Sequence, residues 1–540
     1  MTVRGADLVV GALVKAGVHH LFSLSGNQIL SVYDATIGRD IRIIHTRHEA
    51  AAVHMADAWG RLGEEPGVAL VTAGPGHMNA LSALYGALMA ESPVVLLSGH
   101  APAAQAGRGA FQEIDQAGAA APVTKASWVA KDAARLGEDI TLALELARGG
   151  RPGPVHVSLP GDLLDAVVGG SEGAAGFAAG PRGSMSAAEA DLRRLVELLE
   201  GARRPLVLIG PAMARPARRS AVLRLAEATG IPALPMESPR GVNDPWLHMA
   251  TGCLGQADLV LLLGKKLDFA VRFGGAPPFD PACRFVQADW DAEALDRSGR
   301  VSLGLITDPA LLAEALAGAA TLAGRWRAWG DEVASARASV PAEWEGLRRS
   351  SQTPMHPLRV CAEIQPLLDR GAVLVADGGE FGQWIQAGCG AGTRLINGLS
   401  GSIGSALPLA LAARLRHPDR PVIAALGDGT FGFHAFELDT ALRAGLPIVA
   451  VVGNDARWNA EYQLQLQHYG AARAVACGLN PSRYDLVASA LGGHGEHVER
   501  PEDLGPALAR ALASGLPACV NVMIDGVAAP TYRAGAAPAH

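Results

Sequence analysis

Residues 427–455 read GDGTFGFHAFELDTALRAGLPIVAVVGND, a stretch in which two polar clusters each follow an apolar run. The cluster at 427–429 comes directly after VIAAL, and the cluster at 454–455 comes after IVAVV. Short apolar runs bounded by glycine or polar residues are typical of strands buried on both faces of a parallel sheet. Because ligands bind beyond the carboxyl ends of such strands, we expect the chemistry of this chain to lie at these two clusters.

The residue types in the two clusters predict a metal and diphosphate site. Asp428 at one strand end and Asp455 at the next place oxygen ligands side by side, which suits the octahedral oxygen shell of Mg²⁺. Gly427 and Gly429 let the backbone approach a diphosphate closely. GDG alone also fits an ordinary tight turn, but the second cluster at a matching strand end favours the metal site.

Working outward, strands alternate with helices along three segments. Apolar runs predict strands at residues 68–72, 94–98, 155–159, 205–209, 259–263, 286–289, 372–376, 422–426 and 448–452, and residues 49–62 predict a helix. We therefore expect an α/β protein of three domains, each a mostly parallel sheet flanked by helices. The predicted division is a domain at 1–165, a Gly-, Ala- and Ser-rich linker at 166–190, a domain at 191–330, a linker at 331–357 and a domain at 358–540.

Composition excludes several classes of protein. The chain has 540 residues, which suggests about three domains. A net charge of −7 without a long run of either sign argues against nucleic acid and membrane partners. The six cysteines form no CxxC pair, which fits reduced thiols in a cytoplasmic protein. No apolar run approaches the length of a membrane span, and the N-terminus does not resemble a secretory signal.

The stretch at 427–455 resembles the thiamine-diphosphate motif, in which GDG is followed by NN. That motif belongs to the superfamily of acetolactate synthase, pyruvate decarboxylase, benzaldehyde lyase and 2-hydroxyacyl-CoA lyase. The resemblance implies that Mg²⁺ is held by Asp428, Asp455 and the backbone carbonyl of Arg457. Asp455 stands where asparagine is commoner, and Asn454 is the alternative ligand if the register shifts by one.

Further segments carry the same resemblance. TRHEAAAVHMADAWGR at 46–61 is similar to the segment whose glutamate hydrogen-bonds the cofactor's pyrimidine ring, which implies that role for Glu49. A glutamate that opens a helix also fits the helix dipole without any cofactor. The family's GPG turn, at 68–80, implies cofactor contacts from Gly74 and Asn79.

Residues 397–415, NGLSGSIGSALPLALAARL, resemble the family segment that bends the cofactor. The resemblance implies that Ile403 is the apolar wedge, that the Gly401 carbonyl accepts a hydrogen bond from the pyrimidine amino group, and that Ser402 also contacts the cofactor. For Ile403 the alternative is an ordinary core position. The family fold this implies is the thiamine-diphosphate-binding fold twice, with a Rossmann-like middle domain.

Three further residues are candidates for acting on the substrate. Gln28 stands where benzaldehyde lyase has a histidine over the cofactor, and Gln112 matches a glutamine of those lyases. Glu461 lies six residues after Asp455, an offset at which 2-oxo-acid decarboxylases place a catalytic glutamate. A carboxyl group there could transfer a proton to or from the reacting carbon or hydroxyl. The alternatives are solvated loop amides for the two glutamines and a solvent-facing helix residue for Glu461.

The middle segment gives weaker signals. Its region HMATGCLGQADLVLLLG at 248–264 is shorter than the segment that helps to hold FAD in acetolactate synthases, so FAD is doubtful. Binding of CoA or ADP stays open. Lys265, Lys266 and Arg272 are basic enough to attract a phosphate, but three such charges at a domain edge are usually a solvated surface.

The resemblance implies a homodimer or homotetramer in which the Glu49 domain of one subunit faces the diphosphate domain of another. It implies a lyase or carboligase for 2-oxo acids, aldehydes or 2-hydroxy ketones that works through an enamine intermediate. A 2-hydroxyacyl-CoA lyase or an acetolactate-synthase-like transferase is the alternative within the family. Outside it, the alternatives are a catalytically inactive regulatory homologue and a nucleotide-binding α/β protein that uses GDG for another phosphate.

Overall fold

The computed structural model describes residues 3–63, 65–169, 185–295, 297 and 299–531. Most of the predicted linker at 166–190 therefore lies outside the described residues. Three wholly parallel sheets follow one another along the chain, as predicted, and helices flank each of them. The domain boundaries at 165, 190, 330 and 357 stay a prediction.

The N-terminal segment builds a six-stranded sheet in the order β3-β2-β4-β5-β7-β6, and β1 pairs with β8 in a small antiparallel ladder. Its strands are β1 (Val3–Arg4), β2 (His20–Ser23), β3 (Arg42–His45), β4 (Gly67–Val71), β5 (Val94–His100), β6 (Ala126–Val129), β7 (Val155–Pro160) and β8 (Val167–Val168). Its α-helices are α1 (Gly5–Lys15), α2 (Leu30–Ala35), α3 (Glu49–Leu62), α4 (Pro75–Met89), α5 (Gln116–Ala120), α6 (Leu136–Arg148) and α7 (Gly161–Asp165).

The middle segment builds a five-stranded sheet in the order β10-β9-β11-β12-β13. Its strands are β9 (Pro205–Ile209), β10 (Ala233–Pro235), β11 (Leu259–Leu263), β12 (Arg284–Asp289) and β13 (Val301–Ile306). Its α-helices are α8 (Glu189–Glu200), α9 (Pro211–Ala214), α10 (Pro216–Thr229) and α11 (Pro309–Ala317), and the connection to the last segment contains α12 (Arg327–Ala338) and α13 (Glu343–Arg348).

The C-terminal segment builds a six-stranded sheet in the order β15-β14-β16-β17-β19-β18. Its strands are β14 (Val373–Ala376), β15 (Arg394–Ile396), β16 (Val422–Gly427), β17 (Val449–Asn454), β18 (His494–Val498) and β19 (Ala518–Met523). Its α-helices are α14 (Pro357–Asp369), α15 (Gly379–Gly388), α16 (Ala406–Arg416), α17 (Asp428–His434), α18 (Glu437–Ala444), α19 (Asn459–Tyr469), α20 (Tyr484–Ala490) and α21 (Pro501–Ala513).

The first and last sheets have the same strand order, so strands and helices follow one another in the same way in these two segments. In the last sheet the chain reverses direction of winding between β14 and β16, and in open α/β sheets ligands bind at such a switch point. Asp377 follows β14 and Asp428 follows β16. The fold thus places both carboxyl groups at the edge where a ligand is expected.

The two outer segments share one hydrophobic core. Met55 of α3 and Leu407 and Leu411 of α16 are fully or almost fully buried in it. Burying a side chain of this size contributes about 1.5–3 kcal/mol relative to leaving it exposed, so this contact holds the segments together firmly. All six cysteines are free thiols, as expected. Within the described residues, no helix has both the length and the apolar character that crossing a membrane requires.

Candidate functional site

Asp428 and Asp455 lie at neighbouring strand ends. Residues 427 and 453 are partners in the β16–β17 ladder, so the residues that follow these strands emerge at the same edge of the sheet. Burial of its carboxyl group, followed by the negative charge of Asp428, raises the pKa of Asp455 to about 7. Burial also raises the pKa of Asp428, to about 6. A buried and a partly buried carboxyl group whose negative charges repel are suited to sharing a cation.

One oxygen of this pair has no protein partner. Asp428 Oδ1 accepts a hydrogen bond from the Gly429 N–H at 2.9 Å, whereas Asp428 Oδ2 is buried and has no hydrogen-bond partner among the described residues. A buried acceptor without a partner costs about 1–3 kcal/mol, unless a ligand completes it. No group of three or more His, Cys, Asp or Glu side chains suited to a metal occurs in the described part of the chain. A cation here would therefore also need backbone carbonyl and phosphate oxygens, which is the usual environment of Mg²⁺.

The side chain of Asn454 is engaged elsewhere. Its Nδ2 donates to the Ser482 carbonyl at 3.0 Å and to Asn521 Oδ1 at 3.1 Å, and its Oδ1 accepts from the Ala456 N–H at 3.2 Å. Asn454 is fully buried by these contacts. The structure thus places the side chain of Asp455, and not that of Asn454, beside Asp428.

A cavity of about 300 Å³ lies over the two carboxyl groups. Its walls contain most of the residues predicted at the diphosphate end, namely Gly401, Ile403, Gly427, Asp428, Gly429, Asp455, Arg457 and Glu461. Ser402 is not among the wall residues; its carbonyl accepts a hydrogen bond from Asn397 at 3.0 Å. Gly429 has to be glycine, because a Cβ atom there would lie 2.6 Å from the Trp458 ring.

Asp377 is a site residue that the sequence analysis missed. It is fully buried, and its carboxyl group accepts hydrogen bonds from the N–H groups of Gly378 at 2.7 Å, Gly404 at 3.0 Å and Ala406 at 3.0 Å. Burial raises the pKa of this carboxyl to about 6. Asp377 thereby fixes the loop that carries Ile403. Its position directly after the run VLVA, like that of Asp428 after VIAAL, could have identified it.

Glu49 is the first residue of α3 and is 8 % exposed. Asn79 Nδ2 donates a hydrogen bond to Glu49 Oε2 at 3.0 Å. The two residues singled out in separate segments are therefore neighbours, and the contact leaves the second carboxylate oxygen available for another donor. The Cβ position of Gly76 lies 3.4 Å from Glu49 Oε1, so the GPG turn packs against this carboxyl group.

Gln28 and Gln112 are also neighbours, since Gln28 Nε2 donates to Gln112 Oε1 at 3.0 Å. The Thr72 hydroxyl donates to Gln28 Oε1 at 2.5 Å. Gly74 has φ +56°, and a Cβ atom there would lie 2.9 Å from Gln112. The backbone of Gln112 is itself left-handed, with φ +60°. Neither amide is thus an unconstrained loop side chain, and backbone strain of this kind is common at functional sites.

The N-terminal group does not line the cavity over Asp428. Residues between 238 and 461 form the walls of this cavity, and Glu49, Gln28 and Gln112 are not among them. Within a single chain, Glu49 and Asp428 therefore do not face the same cavity wall.

Glu461 lies in the first turn of α19, and its side chain is exposed although it belongs to the wall of the cavity over Asp428. Beyond it a larger cavity of about 920 Å³ begins, which shares Arg240, Glu380, Gln383 and Ala460 with the cavity over Asp428. Gln463 and Gln467 line this vestibule. Gln463 Nε2 also donates to the Asn459 side chain and to the Gly526 carbonyl, each at 3.0 Å.

The basic residues of the middle segment correct one expectation. Lys265 is only 1 % exposed and pairs with Asp268 at 2.6 Å, so it does not belong to a solvated surface. Burial lowers the pKa of both Lys265 and Lys266. The sequence could not reveal this because Asp268 is brought to Lys265 by the turn after β11. Arg272 lies in the wall of the vestibule.

Side chains of the N-terminal segment meet the strand ends of the middle sheet. Arg151 pairs with both Glu91 and Asp289, and the Ala212 N–H donates to Glu91 Oε2 at 2.9 Å. The Trp290 ring lies 2.9 Å from the Cβ position of Gly264. In this fold class a dinucleotide lies beyond the strand ends, and at the ends of β11 and β12 the Arg151 ion pairs and the Trp290 ring stand in that region.

Comparisons with known proteins agree with this architecture. Residues 3–119, 192–316 and 377–522 match the models "Thiamine pyrophosphate enzyme, N-terminal TPP binding domain", "central domain" and "C-terminal TPP binding domain". A probable acetolactate synthase of Mycobacterium bovis is 36% identical over 97% of this chain and 96% of its own length. The acetolactate synthase of Bacillus subtilis is 30% identical over 97% and 93%, and the 2-hydroxyacyl-CoA lyase of Arabidopsis thaliana is 29% identical over 97% and 96%.

Proposed function

This chain belongs to the thiamine pyrophosphate enzymes, and we propose that Mg²⁺ at Asp428, Asp455 and the Arg457 carbonyl holds its cofactor. It is a thiamine-diphosphate-dependent enzyme that makes or breaks carbon–carbon bonds. We propose that the bond lies next to the carbonyl group of a 2-oxo acid or a 2-hydroxy ketone, with an aldehyde or second oxo acid as the other partner. A regulatory homologue without activity is not supported.

The observation that supports the metal and diphosphate assignment is the pair of neighbouring carboxyl groups, Asp428 and Asp455. Asp428 Oδ2 lacks a partner among the described residues, and the negative charge of Asp428 acts on Asp455. Without a cation, the negative charge of Asp428 makes Asp455 harder to ionise. Bound Mg²⁺ would offset both carboxylate charges, and diphosphate oxygens and water would supply further oxygen ligands.

When bound, thiamine diphosphate supplies a carbanion at its thiazolium ring for attack on a carbonyl carbon. In our proposal Glu49 holds a proton at a ring nitrogen of the pyrimidine, and Asn79 orients that carboxyl group. The Gly401 carbonyl would accept a hydrogen bond from the pyrimidine amino group. Ile403 would support the bent conformation of the cofactor. Glu461 transfers a proton at the reacting carbon or hydroxyl, and Gln28 with Gln112 binds the substrate oxygen.

We propose that the active enzyme is at least a homodimer. Glu49 and Asp428 act on opposite ends of one cofactor, yet Glu49 lies outside the cavity over Asp428 in a single chain. A second copy that presents its Glu49 to that cavity would complete the site. A homotetramer would contain two such dimers.

Arg240 is the residue we propose for binding the substrate carboxylate. It stands in the walls of both the cavity over Asp428 and the vestibule, so its charge lies between the reacting centre and the outside. The size of the vestibule, about 920 Å³, also favours a second candidate, 2-hydroxyacyl-CoA cleavage, because Arg240 and Arg272 could face the phosphates of CoA there.

We propose that this chain does not use FAD. Glu91, Arg151, Asp289 and Trp290 meet at the ends of β11 and β12, so a flavin dinucleotide bound across these ends would have to break the Arg151 ion pairs. Protein that is incubated with excess FAD and then desalted should therefore show no flavin absorbance. Retained flavin would contradict the proposal.

The function is tested with a panel of 2-oxo acids, 2-hydroxy ketones and 2-hydroxyacyl-CoAs in the presence of thiamine diphosphate and Mg²⁺. We expect turnover of a 2-oxo acid or 2-hydroxy ketone; turnover of the CoA esters alone would select the second candidate. Calorimetric titration of Asp428→Ala should show loss of cofactor binding. Asp419→Ala is the matched control, because Asp419 is exposed just before β16. Equal affinity in both variants would remove Asp428 from the site.

A further inference from the structure

A third cavity, of about 450 Å³, lies where the three segments of the chain meet. We call it the junction cavity. Arg61 and Ala90 contribute to its wall from the N-terminal segment, α10 and β10 from the middle segment, and residues 390–395 from the C-terminal segment. The cavity has none of its wall residues in common with the cavity over Asp428. It is therefore separate from the proposed active site.

The junction cavity is strongly basic. The charged residues in its wall are Arg61, Arg215, Arg219, Arg337, Arg394 and a single acid, Glu237. Arg394 pairs with Glu237 at 3.6 Å, and Arg61 pairs with Asp57 at 3.5 Å. Buried Asp244 acts on Arg394 as well. Even with these three acids counted, the five arginines leave an excess of positive charge around one cavity.

The guanidinium groups are only partly satisfied by the protein. Nη1 of Arg394 and Nε of Arg215 are buried and have no hydrogen-bond partner among the described residues. Burial, followed by the positive charges of Arg218 and Arg61, lowers the pKa of Arg215 to about 9. Partial desolvation, followed by the charges of Arg394 and Arg219, lowers the pKa of Arg337 to about 10, although the residue as a whole is exposed. Both shifts have the direction expected when cations are partly desolvated close to one another.

Two of these groups are held in place by stacking. The guanidinium carbon of Arg337 lies 3.5 Å from the centre of the Trp246 ring, and that of Arg394 lies 4.6 Å from it. Stacking fixes the planes of the guanidinium groups and leaves their N–H edges to bind acceptors, which matches the planar forks of phosphate and carboxylate. The cavity is thus preorganised for a compact anion.

We propose that the junction cavity binds a small-molecule anion that carries phosphate or carboxylate groups, and that this anion connects the three segments. The proposal does not depend on the reaction that the enzyme catalyses, since no wall residue belongs to the proposed catalytic group. An anion here adds a counter-charge to the arginines and supplies acceptors for the unpartnered N–H groups. Binding should therefore stabilise the native arrangement of the segments.

The test is calorimetric titration of the enzyme loaded with thiamine diphosphate and Mg²⁺, using inorganic phosphate in one arm and malonate in the other. We expect saturable binding in at least one arm. Binding of phosphate alone identifies a phosphate ligand, and binding of malonate alone identifies a carboxylate ligand. In Arg337→Gln and Arg219→Gln the dissociation constant should rise at least about tenfold, as expected when a charge-assisted contact is lost.

Arg224→Gln is the matched control, because Arg224 lies on α10 outside the cavity, is exposed, and pairs with Glu314. Arg224→Gln removes one positive charge from α10, as Arg219→Gln does. It should bind the anion like the parent enzyme. Melting curves without anion show whether each variant folds. Arg219 is exposed, so its variant keeps the test valid if Arg337→Gln unfolds. Absence of saturable binding in both arms, or equal affinity in the arginine variants and the control, overturns the proposal.

Discussion

Replacing Asp377 by asparagine tests how the protein holds the loop that carries Ile403 beside the cavity over Asp428. The carboxyl group is fully buried and its oxygens accept hydrogen bonds from the N–H groups of Gly378, Gly404 and Ala406. An asparagine keeps the shape but offers one acceptor oxygen, and its amide N–H₂ group then faces a backbone donor. One buried N–H group is left unpaired, which costs about 1–3 kcal/mol at any pH.

The same substitution removes a cost that depends on pH. The pKa of Asp377 rises from 3.8 to about 6 on folding because the carboxyl group is buried. Its contribution to stability is therefore fully present below pH 3.8 and is lost as the pH rises through 6. By linkage the loss reaches about 3 kcal/mol at pH 7. Between roughly pH 4.5 and 7.5 the parent enzyme should lose about 2 kcal/mol through this group, whereas Asp377→Asn should not.

We therefore expect Asp377→Asn to be less stable than the parent near pH 4.5 and equal or more stable near pH 7.5. Urea unfolding of the cofactor-free proteins, followed by circular dichroism at both pH values, measures the difference. Asp419→Asn controls for the loss of a carboxyl group, because Asp419 is exposed. A difference between parent and variant that does not change with pH would refute the reasoning. As a second readout, the loosened Ile403 loop should weaken cofactor binding in the variant but not in the control.

Three further predictions concern the proposed active site. Glu49→Gln should fold normally but lower the exchange rate of the thiazolium ring proton at least about 10²-fold, as measured by NMR; an unchanged rate would exclude Glu49 from this role. Gly429→Ala should displace the Trp458 ring, because the added Cβ would lie 2.6 Å from it. Thermal unfolding should show a destabilisation of about 1–3 kcal/mol. Gly432→Ala on the same helix is the control and should have little effect, because its Cβ would meet nothing within 4 Å. Glu461→Gln should slow turnover after substrate binding, as separated by single-turnover kinetics; parent-like turnover with an unchanged pH profile would make Glu461 a surface residue.

The sequence predicted the buried strands well because a strand covered on both faces needs an unbroken apolar run, as at 259–263, where β11 has the predicted bounds. Asp428 and Asp455 were predictable because each follows such a run. Contacts between distant positions were not. Nothing in the sequence shows that Arg151 reaches Glu91 and Asp289, which lie 60 and 138 residues away. Asp377 was missed because its role depends on backbone groups of a loop that follows it by more than 25 residues.

Asp455 has a consequence for how the cofactor binds. Asn454 is committed to Ser482 and Asn521, so the residue beside Asp428 is a carboxylate rather than the commoner amide. In the proposed site two carboxylates and a diphosphate then surround one cation. An amide ligand would leave one negative charge fewer to oppose the diphosphate when the metal is absent. Cofactor affinity in this chain should therefore depend more steeply on Mg²⁺ than in Asp455→Asn, and titration of both proteins with thiamine diphosphate, with and without Mg²⁺, compares the two. A larger dependence on Mg²⁺ in Asp455→Asn would show that the Asp455 charge is not felt at the diphosphate.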